Sequence, residues 1–100
     1  MSLETVLAED RRLVILRALS ESGYHANESV LRKGLHAFGH RVGADVVRAD
    51  LEFLRAHDLL RIEVLHPASG DLWLAHLTDA GNDVAGGVYH PGVARRGPGG

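Results

Sequence analysis

Four basic residues near the middle of the chain have the types and spacing for contacts with a nucleic acid. Residues 30–48 contain one acid, Asp45, and four bases, Arg32, Lys33, Arg41 and Arg48, which is a local excess of three positive charges. Guanidinium and ammonium groups bind phosphates, and an arginine on a helix in the major groove can bond guanine O6 and N7 together. The pattern therefore indicates DNA contacts, although each of these bases is also typical of an ordinary solvated surface.

The chain as a whole does not share this positive balance. Its net charge is −2, which counts against non-specific nucleic-acid binding, and four of its thirteen acids lie in the predicted first helix: Glu4, Glu9, Asp10 and Glu21.

One hundred residues suffice for one domain. The absence of cysteine excludes disulfides, thiolate catalysis and cysteine-bound zinc. Because the sequence contains neither a signal peptide nor a spanning apolar run of roughly 20 residues, we expect a cytoplasmic protein.

The seven histidines are the remaining candidates for chemistry. His36 and His40 are four residues apart, a spacing that can bind zinc on one helical face. Gly39, however, is expected to end the helix before His40, which breaks the spacing, so a metal-sensing repressor is the least favoured interpretation and no metal ligand is assigned. No serine lies in a nucleophile motif and there is no glycine-rich phosphate loop, so we expect neither an enzyme nor a cofactor.

Apolar spacing and capping residues predict three helices within residues 1–57. The first is capped by Ser2, ends near residue 22 before Gly23, and has an apolar stripe made of Leu3, Val6, Leu7, Leu13, Leu16 and Leu19. The second is capped by Asn27, and its predicted inner stripe consists of Val30, Leu31, Leu35 and Phe38. A turn at residues 39–43 leads to the third helix, residues 44–57.

The second half of the chain predicts a hairpin and a short helix. Residues 61–65 alternate polar and apolar as a half-buried strand does, residues 66–71 form a turn, and residues 72–77 form the returning strand. Thr78 is expected to cap a fourth helix that ends before the paired glycines at 86 and 87. Residues 88–100 are rich in glycine, proline and arginine, which predicts a flexible tail.

This order of elements, together with two segments, resembles winged helix-turn-helix regulators of the ArsR, MarR and PadR type. "VVRADLEFLRAHDLLRIE", residues 46–63, is similar to their recognition helix and the strand that follows, and "HLTDAGNDVAGG", residues 76–87, to the segment after their wing. "GHRVGADVVRADLEFL" also resembles short winged-helix proteins of Mu-like prophages. One departure is the end of the third helix at His57 and Asp58, where these families usually place a glycine.

The resemblance implies an α+β, mainly α fold: a three-helix core, a β-hairpin wing and a short C-terminal helix, with residues 1–87 as the domain. It implies a transcriptional regulator that binds duplex DNA as a homodimer, with helix 44–57 in the major groove. The residues expected to contact DNA are Ala44, Asp45, Arg48 and Ala49 from this helix, Arg41 from the turn, and Arg32 and Lys33 from the preceding helix.

A protein-interaction or assembly module on the same scaffold, related to phages, is the alternative. The acidic overall balance and the absence of Arg and Lys from turn 66–71 both fit that use. The first helix, together with the helix after the wing, would then supply a dimer seam, although a role in the core is equally open for Leu3, Val6 and Leu7. Surface charge discriminates between the two interpretations. A continuous positive stripe over the four bases favours DNA, and interruption of that stripe by Asp45, Asp50 and Glu52 favours protein.

Overall fold

The computed structural model describes residues 1–95 and shows an α+β fold in which about half of the residues are helical. Its elements, in chain order, are α1 (Leu3–Glu21), β1 (His25–Asn27), α2 (Glu28–Ala37), α3 (Ala44–Ala56), β2 (Leu60–Leu65), β3 (Leu72–Leu77) and α4 (Asp79–Ala85). The predicted helices and hairpin are confirmed, with bounds that differ by one or two residues. No helix within residues 1–95 is long and apolar enough to cross a membrane.

The predicted caps begin three of the helices. The Ser2 hydroxyl accepts a hydrogen bond from the Thr5 amide at 3.1 Å, and Asn27 Oδ1 accepts one from the Val30 amide at 3.0 Å. The Thr78 hydroxyl accepts one from the Gly81 amide at 3.0 Å. Each side chain satisfies an amide that the helix itself leaves without a partner, which is why these residue types mark helix starts.

Helices α1, α2 and α3 end in the same motif, in which a residue with positive φ follows the helix. Gly23 and Gly39 hold this position after α1 and α2, with φ of 80° and 91°. Asp58 holds it after α3 with φ of 60°, and the Leu59 amide then bonds the Leu54 carbonyl at 2.9 Å. The departure from glycine at the end of α3 therefore leaves the motif itself intact, because aspartate tolerates the left-handed conformation better than most residues.

The three strands form an antiparallel sheet in the order β1-β3-β2. Strand β3 is central, and its buried Ala75 pairs with Ala26 of β1 on one side and Ile62 of β2 on the other. Strand β1 was not predicted, since three residues are too few to show an alternating pattern. It extends the predicted hairpin to three strands.

The core lies between the helices and one face of the sheet. Its largest fully buried side chains come from α1, α2, α3 and the segment that leads into β2: Leu13, Ile15, Leu16, Leu19, Leu31, Leu35, Val47, Leu51, Leu54, Leu59 and Leu60. Two predicted stripes need correction. Leu3, Val6 and Leu7 of α1 are exposed, because the whole of residues 1–7 lies at the surface. Val30 and Phe38 of α2 are exposed as well, and Val30 points outward because Glu28, Leu31 and Leu35 define the buried side of that helix.

Residues 88–94 differ from the flexible tail predicted for residues 88–100. Val93 is part of the core, the Ala94 amide donates to the Glu9 carbonyl at 3.0 Å, and Arg12 Nη1 donates to the Gly92 carbonyl at 2.9 Å. Gly92 has φ of 84° and lies against the ring of Phe53, so no side chain fits there. Composition indicated a tail, whereas a few backbone contacts pack this segment on α1 and α3. Residues 96–100, which complete the predicted tail, lie outside the described residues.

Candidate functional site

The outer face of α3 carries acidic and small side chains rather than basic ones. Successive helical residues are about 100° apart, so the buried residues Val47, Asp50, Leu51 and Leu54 define the inner side of α3. Asp45, Ala49, Glu52 and Ala56 are exposed opposite them, and Ala44 is exposed at the start of the helix. The side chains that point most directly outward on α3 are therefore two carboxylates and the methyl groups of Ala49 and Ala56, with the exposed Arg55 on the flank.

Arg48, the residue expected to contact guanine, is held at the surface by hydrogen bonds within the molecule, with its side chain 36% exposed. Its Nε and Nη2 donate to the two carboxylate oxygens of Glu28 at 2.7 and 2.8 Å, and Nη2 also donates to the Asp71 carbonyl at 3.2 Å. The guanidinium lies over the ring of Trp73, 4.6 Å from its centroid. The hydrogen bonds that Arg48 donates to Glu28 raise the pKa of Arg48, and its positive charge is balanced by that carboxylate.

Glu28 joins three elements through one carboxylate. It stands in the first turn of α2, where a negative charge suits the helix dipole, and its side chain is only 10% exposed. Besides the two bonds from Arg48 of α3, it accepts the Trp73 amide of β3 at 2.7 Å. The bonds from Arg48, followed by the bond from Trp73, hold the pKa of Glu28 below its ordinary value of 4.5 despite burial. We refer to Glu28, Arg48 and Trp73 as the clamp.

The other three predicted bases, Arg32, Lys33 and Arg41, lie at the surface on α2 and the α2–α3 turn. Arg32 Nε donates to the Val42 carbonyl at 3.0 Å. None of the ion pairs within residues 1–95 involves these three bases. We refer to these three residues as the basic edge.

A cavity of about 240 Å³ lies between the starts of α2 and α3 and the end of the hairpin turn. Arg32, Arg48 and Glu28 supply charged walls, and Ala44 and Leu72 supply apolar ones. The neighbouring turn, residues 66–71, contains no Arg or Lys, and its His66 and Asp71 side chains pair at 2.8 Å. The turn of the hairpin therefore offers no side-chain guanidinium or ammonium for a DNA backbone, and Arg61 on β2 is the one Arg or Lys side chain of the two strands.

Asp50, one of the three acids considered as interruptions of a positive stripe, does not lie at the surface. The residue is 2% exposed, and its carboxylate accepts hydrogen bonds from Arg11 Nε at 2.6 Å and Arg12 Nε at 3.2 Å. The guanidinium of Arg12 also lies 3.8 Å from the centre of the Phe53 ring. The sequence did contain a signal for this burial, because helical spacing places residue 50 among the apolar residues 47, 51 and 54 on the inner side of α3.

The two histidines considered for metal binding have different partners. His40 Nε2 lies 2.6 Å from the Asp10 carboxylate and ties the α2–α3 turn to α1, while His36 Nε2 lies 3.1 Å from the Val42 carbonyl. Within residues 1–95, no group of three or more His, Asp or Glu side chains has the geometry to hold a metal ion. The described residues therefore give the metal-sensor interpretation no ligand set.

The fold and this surface define a small α+β protein in which a three-helix core and a three-stranded sheet are joined by the clamp. No family model matches the chain, and no solved structure matches it significantly. It is 44% identical over 82 residues to the uncharacterized protein gp26 of Escherichia phage Mu, covering 82% of this chain and 81% of gp26. It is 48% identical over 65 residues to an uncharacterized protein of Haemophilus influenzae, covering 65% of this chain and 64% of that protein.

The chain therefore belongs to the family of gp26 of phage Mu. The expected relation to phage proteins is confirmed at this level, since a relative that matches over most of its length is encoded by phage Mu.

Proposed function

We propose that the chain is a phage-related protein-interaction module on a winged helix-turn-helix scaffold, and that α3 does not enter a DNA groove. The order of α2, turn, α3 and hairpin supports the scaffold assignment. A scaffold of this kind does not decide what is bound, so the argument for function depends on the groups that α3 and the hairpin present.

The acidic outer face of α3 is the observation that carries this proposal. A helix in the major groove lies between two rows of phosphates, which repel carboxylates and attract bases. Asp45 and Glu52 point outward from α3, while Arg55 on its flank is paired with Glu52 at 2.9 Å. Arg48 is balanced by Glu28, so its use on guanine requires breaking two charge-assisted hydrogen bonds.

Exposed apolar side chains support protein contacts instead. Leu3, Val6 and Leu7 of α1 and Phe38 at the end of α2 are all exposed, and apolar side chains grouped at a surface mark interaction sites. The sequence-based alternative of a core role for the three α1 residues does not agree with this exposure. Contacts through these residues leave α3 and the clamp uncovered.

DNA contact is the second candidate, and the basic edge favours it. Arg32, Lys33 and Arg41 are exposed and lie outside the ion pairs of residues 1–95, so they are suited to phosphates. Such an edge would give salt-sensitive binding with little sequence preference, because it contacts no base edge. This differs from the sequence-specific regulator predicted from the resemblance.

Fluorescence anisotropy of labelled mixed duplex fragments distinguishes the two candidates. Folded protein, verified by circular dichroism, is titrated at low and at physiological salt. We expect no saturable binding at either salt concentration. Saturable binding that weakens with salt and falls in Arg41→Ala, but not in the control Arg61→Ala on exposed β2, would establish the DNA candidate and reject the module. Arg61 is a suitable control because it is also an exposed arginine outside the ion pairs of residues 1–95.

A further inference from the structure

Strand β2 lies at the open side of the sheet. The strand order β1-β3-β2 leaves one side of β2 unpaired in the part of the chain that the structure describes. The other edge strand, β1, has three residues and runs directly into α2, whereas β2 has six residues without a proline, a glycine or a break in its register with β3. Proteins usually shorten, bend or cover such an edge, because its free backbone groups can pair with another chain. Strand β2 is therefore a candidate interaction surface.

The backbone hydrogen bonds of β3 show which groups of β2 face the open side. The Leu77 amide donates to the Tyr24 carbonyl at 2.7 Å. The Trp73 amide donates to Glu28 at 2.7 Å, so the odd-numbered residues of β3 direct their backbone groups away from β2. Along an antiparallel ladder, hydrogen-bonded pairs alternate with pairs that are not hydrogen-bonded. The β2 residues opposite these odd-numbered residues therefore turn their N–H and C=O groups outward, and they are Leu60, Ile62 and Val64.

The accessible part of this edge begins at Ile62. Leu60 is only 1% exposed, so the start of the strand is covered by its own domain. Ile62 is half-buried and Val64 is 39% exposed. No turn, cap or side chain of residues 1–95 bonds to the outward backbone groups of these two residues. Two donors and two acceptors are thus available to an added strand.

The side chains along the edge specify the chemistry of such a strand. Val64 lies on the core side of the sheet beside Trp73 and is uncovered there, so an apolar side chain suits the position next to it. On the other side of the sheet, the exposed Arg61 suits an acid and the exposed Glu63 suits a base. Glu63 Oε1 lies 3.0 Å from His76 Nε2, which leaves Oε2 for the added base.

We propose that β2 binds an extended segment of another protein as an added antiparallel strand. From its N-terminus the segment has an apolar residue, a base, an apolar residue and an acid, which lie opposite Val64, Glu63, Ile62 and Arg61. Charges placed directly opposite each other attract well here, because side chains are closest in the pairs that are not hydrogen-bonded. Strand addition is a general mode of peptide recognition. This inference rests on the proposed function, since it names a surface of the interaction module and the kind of partner that this surface accepts.

A second copy of β2 fits this edge poorly, although β2 has the same order of charges. Antiparallel pairing of two copies about Ile62 puts Val64 of each copy opposite Leu60 of the other. Because Leu60 is covered, that pairing is blocked. Pairing about Val64 instead puts Leu65 opposite Glu63, so the charges lose their counter-charges. A separate extended segment is free of both restrictions.

An NMR titration of the isotope-labelled full chain tests this site. The probe is the peptide acetyl-Ser-Thr-Val-Lys-Val-Glu-amide, whose lysine and glutamate face Glu63 and Arg61. In the free chain, the Ile62 and Val64 amides should exchange with solvent faster than the Glu63 amide, which bonds β3. The peptide should bind with a dissociation constant of about 1 mM or below and protect both amides. No binding at about 5 mM peptide, or binding that leaves both amides unchanged, would overturn the inference.

Two substitutions of Val64 separate backbone pairing from side-chain contact. Val64→Pro removes an outward donor but no bond to β3, and it should weaken peptide binding by at least about ten-fold. Val64→Thr is the matched control, because it keeps the donor and the branched shape, and it should change binding by less than about three-fold. Unfolding midpoints verify that both variants fold. Equal binding by the two variants would contradict strand addition.

Modified peptides test the same geometry with the protein unchanged. N-methylation of the second valine removes the N–H that faces Ile62 and should weaken binding by at least about ten-fold. N-methylation of the lysine removes an N–H that faces away, and it should not weaken binding. Exchanging the lysine and the glutamate puts like charges opposite Arg61 and Glu63 and should weaken binding by about five-fold. Undiminished binding of the exchanged peptide would overturn the orientation and the charge pairing.

The outcomes are distinguishable from those for the proposed function. A chain that binds neither the peptide nor duplex DNA rejects the added strand alone, since the exposed apolar residues of α1 and Phe38 still support an interaction module. Peptide binding as expected, together with salt-sensitive DNA binding that falls in Arg41→Ala, rejects the proposed function alone. Self-association of the free chain through the Ile62 and Val64 amides would make a second copy the occupant and would overturn the inference.

Discussion

Replacing Glu28 with glutamine isolates the negative charge at the centre of the clamp. The carboxylate accepts three hydrogen bonds, from Arg48 Nε, Arg48 Nη2 and the Trp73 amide, at 2.7 to 2.8 Å. Glutamine keeps the size of the side chain but has only one acceptor oxygen, so its amide nitrogen must face one of these donors. At least one charge-assisted bond is lost and a donor meets a donor.

The expected loss of stability at neutral pH is about 2 kcal/mol. A hydrogen bond to a charged group contributes about 1.5–3 kcal/mol, and we count one such bond at the buried Glu28. The pairing with Arg48 adds nothing to this figure, because that guanidinium is 36% exposed and is screened by solvent. For a domain of this size, 2 kcal/mol lowers the unfolding midpoint by roughly 10 °C.

The effect depends on pH with a defined sign. The folded protein holds the pKa of Glu28 below its unfolded value, so the ionised carboxylate stabilises the fold. This contribution is fully present above the ordinary value of 4.5 and is lost as pH falls through the lower folded pKa. The gap in unfolding free energy between wild type and Glu28→Gln should be constant from pH 7 to about 5 and close below that.

Urea denaturation at a series of pH values measures this gap, with Glu63→Gln as the control. Glu63 carries one hydrogen bond to His76 and its side chain is 54% exposed, so its replacement should change stability by less than about 0.5 kcal/mol. If Glu28→Gln were as stable as wild type at pH 7, the clamp would not hold the elements together. If the gap persisted at pH 3, its origin would not be the charge of Glu28.

Three further substitutions test the packing. Gly34→Ala in α2 should stabilise the protein by about 1 kcal/mol in thermal unfolding, because no atom lies within 4 Å of the added methyl group; an unchanged midpoint would contradict this. Gly81→Ala in α4 should destabilise by about 1–3 kcal/mol, because the same methyl group collides with the Leu59 carbonyl oxygen; a gain in stability would mean that α4 can move away. Asp50→Ala should cost about 3 kcal/mol or more in urea denaturation, since it leaves Arg11 and Arg12 without their buried counter-charge; a loss below about 1 kcal/mol would show that both can reach solvent.

The sequence was sufficient for the helices and the hairpin because their signals are local. Ser2, Asn27 and Thr78 cap helices where they were expected to, since a cap requires only a side chain and an amide two or three residues away. The same holds for Gly23 and Gly39 at helix ends. Strand β1 was missed because it is three residues long and exists only through its pairing with β3.

The candidate site, by contrast, depends on contacts between residues that are far apart in the sequence. Its residues were recognised by type, but the role predicted for Arg48 depends on which way its side chain turns. Glu28 lies 20 residues earlier and Trp73 lies 25 residues later, so no local pattern links them to it. Folding brings the three together, so the residue expected to contact guanine makes its hydrogen bonds within the molecule, and Asp45 and Glu52 lie outermost on α3.

Sequence alone therefore determined where elements begin, where they end and which residues carry charge, because those properties follow from interactions within a few residues. The tertiary structure decided which charges remain available and which apolar residues remain uncovered. Leu7 and Val14 are seven residues apart on the same side of α1, yet Leu7 is 41% exposed and Val14 only 7%. Burial and ion pairing depend on what packs against a side chain, and that is a property of the folded chain as a whole.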